Sequence, residues 1–247
     1  MGLAILAYSL VCVFLAAIVR GYSGFGFSLL VITALSLAMT PAQIVPSIFM
    51  LEIAASLHLL PGIWKDIHWR SLLPLIVGCV VATPFGVRAL ATIPAPPMQI
   101  AMALFVIATT ILLWRGFALK RVPGIAGSVG VGAASGLFNG AFGIGGPPAI
   151  LFYFSTPEAH AVGRASLIAF FLATDTIGLS LLAREGLVTW NSFYRAAIFI
   201  VPLILGVGLG ARGFKAADPA VFRNAVLVLL VVLATLTAAK GIYTLAQ

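Results

Sequence analysis

Charge is what this chain has least of. Only 8% of its 247 residues are charged, and just six are acidic, against roughly a quarter charged in an ordinary soluble domain. Hydrophobic residues make up 62% and the mean hydropathy is +1.17, which excludes a water-soluble domain and leaves an integral membrane protein. Cysteine is almost missing as well. Cys12 and Cys79 each sit inside an apolar segment, so there is neither a disulfide framework nor metal-ligand spacing, and no metal or cofactor is expected. The formal charge of +8 is scattered through short loops, a distribution that points to membrane orientation and not to nucleic acid. The apolar start has no basic leader and no small-x-small cleavage site after it, so it reads as a retained helix.

What the chain does have is glycine in two matching places. RGYSGFG occupies residues 20–26 and NGAFGIGG residues 139–146. Apolar runs between Gly, Pro and charge punctuation predict helices near 3–19, 27–39, 42–60, 69–90 and 97–114, then near 125–138, 147–155, 159–183, 190–211 and 219–239. Anchors recur at a shift of about 120 residues, the weak internal symmetry of many transporter folds. Gly21, Gly24 and Gly26 fall on Gly140, Gly143 and Gly145; Trp69 falls near Trp190, and Gly86-Val87-Arg88 on Gly210-Ala211-Arg212. The chain therefore divides into a first membrane repeat (1–116), a basic connector (117–123) and a second repeat (124–247).

The second arm of each broken pair is too short to cross a hydrocarbon core of about 30 Å. Each half thus reads as a broken helical hairpin plus three spanning helices, in an all-α polytopic membrane protein. With antiparallel arms, nine cations (Lys65, Arg70, Arg115, Lys120, Arg121, Arg164, Arg212, Lys215, Arg223) share one side, and four (Arg88, Arg184, Arg195, Lys240) the other. An odd number of crossings per half makes the halves inverted repeats, with the glycine tips expected to meet near the midplane. Such an architecture suits a solute carrier with alternating access. Non-helical backbone at membrane depth is tolerated only where protein or a watery cavity surrounds it, so the breaks are the candidate solute site.

Glycine lets backbone approach a ligand, and a helix start offers unpaired N–H groups with partial positive charge, which suits an anion. The candidate substrate residues are Arg20, Gly21, Ser23, Gly24, Phe25 and Gly26 in the first break. In the second they are Asn139, Gly140, Phe142, Gly143, Gly145, Gly146 and Pro147, with Pro148 beside them. The competing account makes the glycines packing residues and Arg20 a helix anchor. Glu52 and Asp175 are the acids inside predicted spans and the candidate proton-coupling groups, the alternative being a polar helix–helix contact such as Glu52 with Arg20. His58 reads as a surface residue. Arg88 and Arg212 read as snorkelling cations, and Trp64, Trp69, Trp114 and Trp190 as interfacial belt residues.

At GYSGFGFSLL, GLFNGAFGIGGPPAILFYF, PFGVRAL and GLGARGF the chain resembles the TauE/SafE family of membrane permeases, also called the sulfite exporter family, over essentially its whole length. The resemblance implies a secondary carrier of small sulfur-containing or carboxylate anions (sulfite, sulfonates such as sulfoacetate, short carboxylates), moving them outward across the bacterial cytoplasmic membrane. Family members are usually described with seven or eight predicted helices, against the ten segments read here. Two other functions fit parts of the pattern. A passive anion channel would use the same tips and Arg20. An intramembrane serine protease would use Gly21-Tyr22-Ser23-Gly24 with His58 or His68 as base, but the second copy, Gly140-Ala141-Phe142-Gly143, lacks the serine.

Overall fold

Long apolar runs cut by glycine and proline fold as ten helices in the computed structural model, which describes residues 2–246 apart from 24, 117–122, 155–159 and 214–218. These are α1 (Leu3–Ser23), α2 (Phe27–Leu35), α3 (Pro41–Ile63), α4 (Trp69–Thr92), α5 (Ala95–Trp114), α6 (Ile125–Phe142), α7 (Gly146–Phe154), α8 (His160–Arg184), α9 (Trp190–Gly213) and α10 (Pro219–Leu245), with a 3₁₀ turn at Trp64–Asp66. Strand is absent among the described residues. Eight helices, all but α2 and α7, are long and apolar enough to cross a membrane. The two short segments are helices of nine residues, about 14 Å at 1.5 Å per residue. Gly24, Lys120, Arg121, Lys215 and the side chains of Ser23, Arg212 and Arg223 lie outside the described residues.

One prediction needs adjusting. The breaks are narrower than the glycine clusters, because α1 runs on through Gly21 to Ser23 and α6 through Asn139 and Gly140 to Phe142. Those inner glycines stay helical because another helix lies on them. A methyl at Gly21 would collide with the Val207 carbonyl and come 2.9 Å from its Cα; at Gly140 it would meet the Thr83 carbonyl at 2.5 Å and the Val87 nitrogen at 2.8 Å. Small residues are what permit helices to approach this closely in lipid.

The chain forms two compact units, each drawing on both sequence halves. Unit 1 holds Met1–Ser47, Ile93–Arg115 and Trp190–Gln247; unit 2 holds Ile48–Thr92 and Gly116–Thr189. In unit 1 α1 packs on α9, and α5 on α10; in unit 2 α4 packs on α6 and α8. The α1–α9 crossing of unit 1 and the α6–α4 crossing of unit 2 are built alike. Ile18 and Tyr22 stand to Gly210 as Leu137 and Ala141 stand to Gly86. Both crossings are parallel. The pair α5 and α10 is antiparallel, with Gly241 near the end of α10 resting on Pro96 and Ile100 in the first turns of α5.

The outer surface repeats too. Val77, Val80, Val81 and Phe85 on α4 are exposed, as are Val201, Ile204, Leu205 and Leu209 at the matching positions of α9. Contiguous exposed aliphatics would be a liability in water and form the lipid-facing stripe in a bilayer. All four tryptophans are exposed at helix ends, as belt residues should be, and Arg88 is exposed near the end of α4.

Candidate functional site

The first break lies within unit 1. Arg20 occupies the last turn of α1 and is only 3% exposed. Guanidinium stays charged at any accessible pH, and a cation suits the negative end of the α1 dipole. After the break, Gly26 takes the left-handed region at φ 89° and leads into α2 without a side-chain cap. The first rung of the α2 ladder is Leu30 N–H to the Gly26 carbonyl, 3.1 Å, so the amides of Phe27, Ser28 and Leu29 stand outside that ladder. Tyr22, Phe25 and Gly26 are half-buried.

A nine-residue helix cannot hold itself in lipid, and α2 is buried at every residue except Ser28. Its far end is closed by side chains from three helices. Tyr8 hydroxyl donates to the Ala34 carbonyl at 2.8 Å and Thr237 hydroxyl to Thr33 at 3.2 Å. Gln99 Nε2 donates to the Ser36 carbonyl at 2.8 Å, and Lys240 Nζ to Ser36 at 3.2 Å and Leu37 at 3.0 Å. Lys240 is thus a cap on the tip-bearing helix as well as an interfacial cation. Sequence pattern alone gave no sign of that.

The second break, in unit 2, is built differently. Gly143 ends α6 in the left-handed region at φ 70°, its N–H bonded to the Asn139 carbonyl at 2.7 Å. Asn139 is buried, 2% exposed. Its Oδ1 accepts from Gly145 N–H at 3.1 Å while its Nδ2 donates to Asp175 Oδ1 at 3.0 Å. One amide side chain therefore ties the break to α8. A Cβ at Gly145 would lie 2.7 Å from that of Asn139, so only glycine fits. Phe142 stacks on Phe138 at 6.2 Å. Gly143 to Gly145 and Pro147 are buried, Gly146 and Pro148 half-buried. Two of the first three residues of α7 are prolines without an N–H, so the second tip offers far fewer amide donors than the first.

Glu52 and Asp175 are 4% and 3% exposed. Helix α3 runs antiparallel to α8, since Phe49 touches Gly178 at one end and the His68 amide donates to Ser166 Oγ at 3.0 Å at the other. Glu52 follows Phe49 by one turn and Asp175 precedes Gly178 by one turn, which puts both acids at one level of unit 2. His58 is exposed. His68 Nδ1 engages Ser71 Oγ, in the first turn of α4, at 2.8 Å.

A family model described as Sulfite exporter TauE/SafE matches residues 9–237. A curated relative from Cupriavidus necator, named "Probable sulfite/organosulfonate exporter TauE", is 28% identical over 212 residues, covering 82% of this chain and 81% of the relative. No solved structure matches. With that match along most of the chain and eight apolar helices of crossing length, the chain belongs to the sulfite exporter TauE/SafE family: a multi-pass transporter of the bacterial inner membrane, and not an enzyme.

Proposed function

We propose that this chain exports small sulfur-containing anions, sulfite or organosulfonates, as a secondary carrier. The observation that carries this reading is the first break. There a buried Arg20 precedes a helix start whose three leading amides lie outside the helix ladder, a combination of fixed charge and oriented donors suited to a sulfonate or sulfite oxygen. The family and the named relative favour the same substrate class. Of the candidate residues, Arg20, Phe25 and Gly26 contact the anion; Gly21 and Gly140 hold helices together; Asn139, Gly143, Gly145, Gly146 and Pro147 shape the second break.

Glu52 and Asp175 act as coupling acids, taking up a proton or other small cation as the carrier turns over. Alternating access by inverted repeats is supported by the antiparallel packing of two pairs of corresponding helices, α5 with α10 and α3 with α8. Sulfite efflux from proteoliposomes tests the proposal. Saturable flux with counterflow exchange is expected of a carrier, whereas flux linear in concentration and indifferent to any imposed gradient would establish the channel instead.

A further inference from the structure

The two breaks differ in the sign of charge they favour. At the second, α6 presents its C-terminal, negative end, Asp175 adds a carboxylate through Asn139, and Pro147 and Pro148 remove amide donors from α7. That environment repels an anion.

An independent observation sits one turn before Asn139 on α6. Ser135 is 0% exposed and its hydroxyl has no hydrogen-bond partner. Several other buried hydroxyls satisfy themselves on the carbonyl four residues back, as Thr33 does with Leu29, Thr83 with Cys79 and Thr110 with Val106. Ser135 forgoes that bond, and an orphaned buried hydroxyl is costly. Its turn is the one on which Gly145 rests, since a Cβ there would come 2.9 Å from the Ser135 carbonyl.

We propose that the second break is a sodium site, with the Ser135 hydroxyl, Asn139 Oδ1, the Asp175 carboxylate and carbonyls from the last turn of α6 as its oxygen donors. Asn139 Oδ1 has a lone pair beyond the one facing Gly145. One carboxylate among neutral oxygens balances a single positive charge, and carbonyls freed at a helix break are the usual partners of a coupling cation in membrane carriers. Proton uptake would need Asp175 alone and would leave Ser135 unsatisfied; a sodium ion uses both. The inference rests on the carrier reading and identifies the cation that Asp175 serves.

The test uses purified full-length protein, with sodium chloride exchanged for choline chloride at constant ionic strength. Sodium should raise the melting temperature saturably. Ser135→Ala, which removes one oxygen from a buried position, should fold and need about tenfold more sodium or beyond for the same shift, and Asp175→Asn should abolish the response. A hydroxyl that is merely unsatisfied predicts instead a higher melting temperature for Ser135→Ala in choline and no change in sodium affinity, which would overturn the proposal. So would a native protein indifferent to sodium, or export in proteoliposomes driven equally by a proton gradient with choline on both sides. Sulfite counterflow measured without any cation gradient reports on the carrier itself, so its loss would refute the carrier and its persistence beside a missing sodium effect would refute only the site.

Discussion

Replacing Gly140 by alanine puts a methyl group between α6 and α4, where the structure leaves no room. The new carbon would stand 2.5 Å from the Thr83 carbonyl oxygen and 2.8 Å from the Val87 nitrogen, against 3.4 Å or more for ordinary contact. The obstacle is helix backbone, which cannot rotate away, so the helices must part by about 0.6 to 0.9 Å. Overpacking of this kind costs about 1–3 kcal/mol, or roughly 4–8 °C of melting temperature near the middle of that range for a chain this long. Gly21→Ala, against Val207, should cost a similar amount through the matching crossing in unit 1. Gly130→Ala and Gly208→Ala are the controls: they lie on the same two helix pairs, a Cβ there meets nothing within 4 Å, and alanine's helix propensity should hold or raise stability. Melting curves of the four purified variants decide the matter. If Gly21→Ala and Gly140→Ala melt with their controls, the close crossings do not exist and the equivalence of the two units loses its main support.

Arg20→Ala should weaken sulfite binding by about 1.5–3 kcal/mol if the guanidinium bonds the anion; calorimetric titration of a folded variant with unchanged affinity would remove Arg20 from the site. Lys240→Met should destabilise the protein by about 1–2 kcal/mol, because the Ser36 and Leu37 carbonyls lose a cationic donor in a partly buried position; a denaturation midpoint equal to the native one would refute the cap. Glu52→Gln should abolish gradient-driven export and spare counterflow exchange, and intact coupling in that variant would reject Glu52 as a coupling acid.

Ten helices were legible in the sequence because glycine, proline and charge interrupt otherwise continuous apolar runs. What a sequence displays poorly is who lies opposite whom. Gly21 and Gly140 looked like part of the breaks, yet remain helical because Val207 and Thr83, remote along the chain, press on them. Asn139 was found as a break residue; its grip on Asp175 and Gly145 depends on the approach of α8 and could not be read locally. Lys240 and Arg195 enter the sequence reading only as cations on one side of the membrane. In the fold Lys240 closes α2, and Arg195 donates to the Gln43 carbonyl. Ser135, one polar residue in a small-residue helix, carried no signal at all until its hydroxyl was seen to lack the usual backbone partner.

Exchanged pairing has a cost during synthesis. The first helix finds its mate only when the ninth has been inserted, and the fourth waits for the sixth, so the amino-terminal half leaves the ribosome with glycine-lined faces still open to lipid. Neither half is a self-sufficient module. A gene for this architecture cannot be shortened to one repeat and still yield either compact body, and two separately produced halves would have to find each other in the membrane before any solute could be handled.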